Sequence, residues 1–191
     1  MVRESLGWIV VSAALAMSSA CRESTDVSAG QQPPAQQAAR AAVKPTLAKA
    51  HLTEAGIAAK NWKADAVLIQ VAGRTKGDQG LSYWDYGFYS KTAKTCLVVT
   101  VAATTSTQES GGPMCESDPL ADFMDSDRAI KLARANGITA PSASMAVRMS
   151  AMEKPSRPIW SVYDDGGTKP GNVMLDLDAT TGAVRSKIVQ K

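Results

Sequence analysis

Apolar residues along the chain follow two periods. Over residues 47–56 and 125–137 they recur three and four positions apart, as one buried face of an α-helix requires. After each of these stretches the period shortens to two, which is typical of strands with one buried face. The alternating segments lie at residues 67–71, 83–89, 97–101, 145–149, 159–163, 173–177 and 184–189. The pattern therefore predicts a helix followed by strands, and then the same again.

Residues with known preferences for helix ends define the two predicted helices. The first begins after Pro45 and ends at Gly56. The second begins at Asp125 and Asp127, whose carboxylates favour a helix N-terminus, and ends at Gly137.

The two halves of the pattern can be aligned. The step from Trp84 to the Ala-Thr-Thr of residues 103–105 equals the step from Trp160 to the Ala-Thr-Thr of residues 179–181. One helix on three strands makes a marginal core, so two copies that share an interface bury more. We expect an α+β fold of two tandem repeats, residues 46–122 and 123–191, each with one helix on an antiparallel sheet of three to four strands.

The first 20 residues have the features of a secretory signal. Arg3 precedes an apolar run over residues 6–17, and small residues then lead to Cys21. The arrangement resembles the signal peptide and lipobox of bacterial lipoproteins, although Ser18 stands where that family favours Leu. The resemblance implies cleavage of residues 1–20 and a lipid on Cys21. The alternative is an ordinary secretory signal that leaves Cys21 as a thiol.

Residues 21–45 are rich in Gln, Ala, Ser and Pro, and they cannot bury enough apolar surface to order themselves. They are predicted to form a flexible tether. Arg22 follows the cysteine, where an Asp would resemble a signal for retention at the inner membrane. The expected location is therefore the cell envelope on the periplasmic side, with the outer membrane favoured over the inner.

Residues 125–190 resemble a PepSY domain. The likeness lies in the helix, the strand at residues 158–162, and an apolar strand that ends in Asp-Ala-Thr-Thr-Gly at residues 178–182 and returns as the next strand. The first half departs from it, with Ala102 and Ser106 in place of the turn Asp and Gly. The resemblance implies a unit of secreted and membrane-attached proteins that binds or inhibits peptidases, or mediates interactions in the envelope, without catalytic residues.

Cys96 begins a predicted strand, and Cys115 lies in a Gly-, Ser- and Thr-rich segment predicted as a loop over residues 106–122. If Cys21 carries lipid, these two cysteines remain as a pair in an oxidising compartment, which predicts a disulfide. A redox or metal-binding thiol pair is the alternative, but the Cys-x-x-Cys spacing typical of it is absent.

Composition excludes several classes of function. One histidine and three cysteines are too few for a Cys/His zinc module, and a net charge of +3 (21 bases less 18 acids) is too small to indicate nucleic acid as a partner. His51 lies within the first predicted helix, and no serine or cysteine near it has a nucleophile-elbow context. We predict an ordinary half-exposed residue there.

Two clusters contain side chains that can bind metal ions. Six acids between Glu109 and Asp127 could bind calcium, but their spacing lacks the Gly and terminal Glu of an EF-hand loop. Met145, Met149 and Met152 could bind copper, but the first two also alternate with Val147 as core residues would. We therefore predict neither a metal nor a cofactor.

Half of the aromatic residues fall within residues 83–89. Alternation places Trp84, Tyr86 and Phe88 on one face of a strand, and Tyr83 and Tyr89 on the other. Exposed aromatic side chains on a sheet mark binding surfaces, so Tyr83 and Tyr89 are the candidate binding residues. The alternative is that both faces are covered.

These features predict a non-enzymatic, membrane-anchored envelope lipoprotein that binds a protein or peptide, or acts as an inhibitor-like module. Its expected partners are a membrane, through the lipid anchor, and a protein or peptide, with no nucleic acid. A structural or assembly factor of an envelope complex and an unrecognised periplasmic enzyme are the competing hypotheses.

Overall fold

Two helices and eight strands form the part of the chain that the structure describes, a computed structural model of residues 47–75, 81–111, 115–165 and 169–191. The predicted signal peptide, the tether and Cys21 lie outside the described residues. In chain order the elements are α1 (Leu52–Trp62), β1 (Val67–Thr75), β2 (Leu81–Ser90), β3 (Thr95–Val101), β4 (Thr105–Gly111), α2 (Ser126–Ala135), β5 (Ala143–Met149), β6 (Pro158–Asp164), β7 (Val173–Asp178) and β8 (Val184–Val189).

The eight described strands form one antiparallel sheet in the order β4-β3-β2-β1-β5-β6-β7-β8. Its centre is the pairing of β1 with β5, in which Val71 lies opposite Val147. The prediction of two tandem repeats over residues 46–122 and 123–191, each with one helix on an antiparallel sheet of three to four strands, is therefore wrong, because all eight described strands belong to one sheet.

The formation of one sheet is explained by the strand edges that two separate sheets would expose. Two separate sheets would each leave β1 or β5 with unpaired backbone groups along a largely apolar strand, and such edges promote aggregation. Pairing β1 with β5 removes both edges. Periodicity identifies strands and their buried faces, but it does not say which distant strand pairs with which.

Both helices pack on the same face of the sheet. Helix α1 contacts β2 and β3, and α2 contacts β6 and β7. A single apolar core lies beneath them and includes side chains from both halves of the chain. Its fully buried members include Val71, Trp84, Tyr86, Val99, Val147, Trp160, Val162, Leu175 and Leu177.

The first helix was predicted to end at Gly56, and this is wrong, because α1 continues to Trp62. Ala55 and Ala59 are both buried, and Leu52 and Trp62 pack against the core at helical spacing. This packing outweighs the cost of about 1 kcal/mol for a glycine inside a helix. Helix α2 agrees with the prediction, because Asp125 caps it by accepting the Ser126 N–H at 2.7 Å and Gly137 follows it with φ at 107°.

The predicted loop over residues 106–122 begins instead as a strand, because β4 pairs with β3 from Thr105 to Gly111. Every residue of β4 is exposed and none is apolar, so no alternation marks it in the sequence. At the other end of the sheet, the turn between β7 and β8 is tight, as its sequence indicates. Asp178 accepts the N–H groups of Thr180 and Thr181, and Gly182 adopts a φ of 86°.

Candidate functional site: a groove on the outer face of the sheet

The second face of the sheet is covered by neither described helix, and we call it the outer face. Alternation along the strands gives it a row of mixed polar and apolar side chains. Its members include Ile69, Gln70, Tyr83, Asp85, Tyr89, Cys96, Arg148, Ile159, Ser161, Asp176 and Ser186.

Two cavities on this face join into one groove. The first, of about 1000 Å³, lies where β1 begins and β2 ends, and it is lined by Val67, Tyr89 and Lys91 among others. The second, of about 530 Å³, extends over β5 to β8 and reaches Ser186. They share the lining residues Glu116, Ser117, Met149, Ser150 and Ala151.

One wall of the groove is the segment of residues 116–119, which is fixed at both ends. On one side a disulfide joins Cys115 to Cys96 on β3, with the Cα atoms 5.7 Å apart, which confirms the predicted pairing. On the other side the Leu120 N–H donates to the Leu68 carbonyl at 2.7 Å. The disulfide therefore does more than stabilise a hairpin, because it holds this wall over the outer face.

The loop after β5 forms the second wall. The Ser150 N–H donates to the Arg157 carbonyl at 2.8 Å, which closes the base of the loop. The Ser156 hydroxyl donates to Asp118 at 3.0 Å and links the two walls. Both walls are thus tied to each other and to the sheet by bonds within the fold.

A hydrogen-bonded carboxylate, Asp176, lies on the floor of the groove over β6 to β8. Asp176 accepts the hydroxyls of Ser161 at 2.7 Å and Ser186 at 2.8 Å. Beside it, Arg185 donates to Asp178 at 2.6 Å. Arg148 is exposed and has no ion-pair partner among the described residues. It is therefore a cation on the groove floor that is free to meet an anionic group.

The other end of the groove is acidic. Glu116 and Asp118 are exposed there, close to Asp65. The Thr92 N–H and the Ser90 hydroxyl, each 2.8 Å from the Asp65 carboxylate, lower the pKa of Asp65 to about 2. This carboxylate is ionised under all ordinary conditions and caps the turn between β2 and β3.

The structure separates the two tyrosines predicted to form a binding surface. Both lie on the outer face, as alternation predicts, but six residues of strand place them about 20 Å apart. Tyr89 is only 8% exposed, packs with Ile69 and Cys96, and lines the groove. Tyr83 lies at the far end of β2 and lines neither cavity described above.

His51 lies just before α1, with its Nδ1 3.3 Å from the Glu54 carboxylate. Glu54 also accepts the Thr105 hydroxyl, and this hydrogen bond is the main reason for its lowered pKa. The Glu54 carboxylate lies between the Thr105 hydroxyl and the His51 imidazole. The histidine is therefore not placed to take a proton from the threonine. The groove lies elsewhere.

Several acids of the candidate calcium site are engaged by other partners, and the methionines of the candidate copper site lie at separate places in the fold. Asp122 pairs with Lys49 at 2.8 Å, Asp125 caps α2, and Asp118 bonds Ser156. Met145 is buried in the core, whereas Met152 is 98% exposed on the loop after β5. Within the described ranges, no three His, Cys, Asp or Glu side chains come together as a metal site would require.

Sequence reasoning missed Arg148, Asp176 and the wall at residues 116–119. Arg148 and Asp176 did carry a signal, since each is a charged residue at an outer-face position of an alternating strand. Apart from Cys115, no sequence signal marks the wall at residues 116–119. Its position depends on which cysteines pair and on a long-range hydrogen bond.

No protein-family model matches the chain, and no curated protein matches it. Among solved structures, a candidate lipoprotein from Clostridium difficile 630 is similar at 11% sequence identity and a TM-score of 0.49, over 76% of this chain and 93% of that chain. The resemblance of residues 125–190 to a PepSY domain finds no support in these comparisons. Neither helix in the described residues is long and apolar enough to cross a membrane.

Proposed function

We propose that this protein is a lipoprotein of the bacterial cell envelope, anchored through a lipid on Cys21, that binds an extended protein or peptide segment in the groove. The signal-like residues 1–20 and the cysteine that follows them support the anchor. The groove supports the binding role, because it is long, open and held by a disulfide and by hydrogen bonds within the fold.

The observation that carries the proposal is the fixation of the wall at residues 116–119. A wall that is ordered before binding costs little entropy when a ligand arrives. Its chemistry fits a peptide better than a small apolar ligand, since charged and hydroxyl side chains alternate with Val67 and Met149 along the groove.

The anchor is tested by lipid labelling. Cells that express the full chain are fed a radiolabelled fatty acid, and the protein is followed in membrane and soluble fractions. We expect label on the wild-type protein and none on Cys21→Ser, which should leave the membrane fraction. An unlabelled wild-type protein would end the lipoprotein proposal and leave the groove proposal untouched.

The groove is tested with peptides selected from a displayed random library against the full chain. Ser117→Trp places a large side chain in the groove and should weaken the selected peptides at least about tenfold, or about 1.4 kcal/mol. Tyr83→Ala, on the same face but outside the groove, is the matched control and should bind as wild type does. Weaker binding by Tyr83→Ala together with unchanged binding by Ser117→Trp would instead place the binding site at the far end of β2.

A further inference from the structure

The two edges of the sheet differ in chemistry. Edge strand β4 carries no apolar side chain. Edge strand β8 carries Val184, Ile188 and Val189, each about half exposed at 45%, 46% and 51%. Six large apolar side chains are exposed in the described residues, and half of them lie on this one strand. Such a concentration of exposed apolar side chains on β8 needs an explanation, whereas the polar edge strand β4 needs none.

Strand β8 is held in an extended form that could accept another strand. The tight turn with Asp178 and Gly182 fixes its start, and the Gln190 N–H donates to the Asn172 carbonyl at 2.9 Å beyond its end. The register that pairs Val173 with Val189, continued by one residue, places Gln190 opposite Asn172. Because bonded and non-bonded positions alternate, the backbone groups of Ser186 and Ile188 face β7, while those of Lys187 and Val189 face outward.

The charge of this edge selects the partner. Residues 179–191 contain Arg185, Lys187 and Lys191 and no acid. Arg185 is paired with Asp178 from the neighbouring strand, and Lys187 places its ammonium beside Gly137 at the end of α2 while remaining exposed. A second copy of β8 would bring like charges together across an antiparallel pair, which is unfavourable.

We propose that β8 is a docking edge for an extended, acidic segment of a partner protein, which adds to the sheet as a further antiparallel strand. Its carboxylates lie opposite Lys187 on one face of the sheet, and its apolar side chains lie beside Ile188 on the other face. The added strand bonds the outward backbone groups of Lys187 and Val189, so main-chain hydrogen bonds supply affinity and charge supplies selectivity. This edge adjoins the groove, which reaches Ser186 on the same strand, but Lys187 and Val189, which bond the added strand, line neither cavity.

The test uses the full chain and three short capped peptides: one that alternates Glu and Val, one that alternates Lys and Val, and a Glu-Val peptide methylated at every backbone nitrogen. Amide hydrogen exchange is followed by NMR. The Glu-Val peptide should slow exchange at Lys187 and Val189 about tenfold, while Ser186 and Ile188, already bonded to β7, change little.

The other two peptides provide the controls. The Lys-Val peptide and the methylated peptide should each bind at least about tenfold more weakly than the Glu-Val peptide. Equal binding of the Lys-Val peptide would overturn the charge argument, and equal binding of the methylated peptide would overturn strand addition. Protection confined to Ser117 and Met149 would move the site to the groove, and a concentration-dependent dimer that protects Lys187 without peptide would assign the edge to a second copy.

A variant provides a further measurement on the same edge. Lys187→Glu should reverse the preference, so that the Lys-Val peptide binds better than the Glu-Val peptide. Unchanged preference in a variant with a wild-type amide spectrum would contradict the proposal, and the peptide series on the wild-type protein decides the matter if the variant does not fold.

Discussion

The indole ring of Trp160 packs edge-on against that of Trp84, with the ring centroids 6.4 Å apart and the planes at 62°. Trp84 lies on β2 and Trp160 on β6, so the contact spans the two central strands β1 and β5. Phe123 adds a second edge-on contact to Trp160, at 5.9 Å, and the Trp160 Nε1–H donates to the Met124 carbonyl at 2.9 Å. Both halves of the chain therefore meet in one aromatic cluster under the helices.

Trp160→Phe tests how much this cluster stabilises the fold. The change keeps a ring in the core but leaves the Met124 carbonyl without its indole donor and opens a small cavity. We expect the free energy of unfolding to fall by about 2–4 kcal/mol. Urea unfolding followed by circular dichroism measures it. Val184→Ala on β8 should stay within about 0.5 kcal/mol, and an equal loss in the two variants would contradict the central role of the cluster.

Removing the disulfide should loosen both the fold and the groove. Cys96 and Cys115 are 19 residues apart, and a cross-link over a loop of this size stabilises by about 3 kcal/mol in the chain-entropy model. We expect reductant to lower the denaturant midpoint of the wild-type protein and to leave that of the double variant Cys96→Ala, Cys115→Ala unchanged. The double variant should also bind groove peptides more weakly, since the wall at residues 116–119 loses one of its two attachments. Wild-type affinity in a folded double variant would show that the wall does not need the disulfide.

Neutralising Asp178 should flatten the dependence of stability on acid pH. Hydrogen bonding from Arg185, followed by the N–H of Thr181, holds the pKa of Asp178 well below its ordinary value. A carboxyl group whose pKa is lowered in the folded state stabilises the fold fully above its unfolded-state pKa, about 3.9, and this stabilisation is lost as the pH falls through the folded-state pKa. The stability of Asp178→Asn should therefore fall less steeply than that of the wild-type protein as the solution is acidified below about pH 5.

The measurement is urea unfolding at a series of pH values. At neutral pH, Asp178→Asn should be less stable by about 1–3 kcal/mol, and the difference should shrink in acid. Arg185→Gln removes the same ion pair from its other side and should flatten the profile less, because the N–H groups of Thr180 and Thr181 still bond the carboxylate. A difference that is constant with pH would show that the loss is one of packing rather than of charge.

Two glycines with the same backbone conformation offer a matched pair of variants. Gly171 and Gly182 both have φ of 86°, but a Cβ on Gly171 would meet nothing within 4 Å, whereas one on Gly182 would lie 2.6 Å from Leu132 Cδ1. Gly171→Ala should cost only the left-handed strain, about 1–2 kcal/mol. Gly182→Ala should cost about 1 kcal/mol more, because Leu132 is packed against the core. Equal losses on thermal unfolding would mean that Leu132 moves aside freely.

Much of the fold follows from local patterns. The strands around Trp84 and Trp160, the start of α2 at Asp125 and the turn at Gly182 are all placed by periodicity and by residues with strong conformational preferences. Strand β4 is not predicted, because its exposed Ser and Thr residues show no alternation of apolar and polar side chains. Helix α1 runs past Gly56 because packing of Ala59 on the sheet, which is not visible in the local sequence, outweighs the cost of the glycine.

The candidate site follows from the sequence only in part. Pairing of Cys96 with Cys115 was predicted from compartment and count, and alternation placed Tyr89 on the outer face. The groove itself depends on the central pairing of β1 with β5, which brings Gln70 next to Arg148 from 78 residues further along the chain. A contact of that range has no local signature, so neither the single sheet nor the groove on it could be predicted.

The same central pairing has a consequence for how the chain acquires its fold. While the polypeptide is being synthesised from its N-terminus, β1 to β4 can form their hairpins early, but one side of β1 stays unpaired until residues 143–149 have emerged. Pairings between such distant segments slow folding, and an incomplete sheet with an apolar central strand is prone to stick to other chains. The first half of this protein should therefore need shielding by a chaperone during synthesis, and a fragment truncated before β5 should aggregate rather than fold.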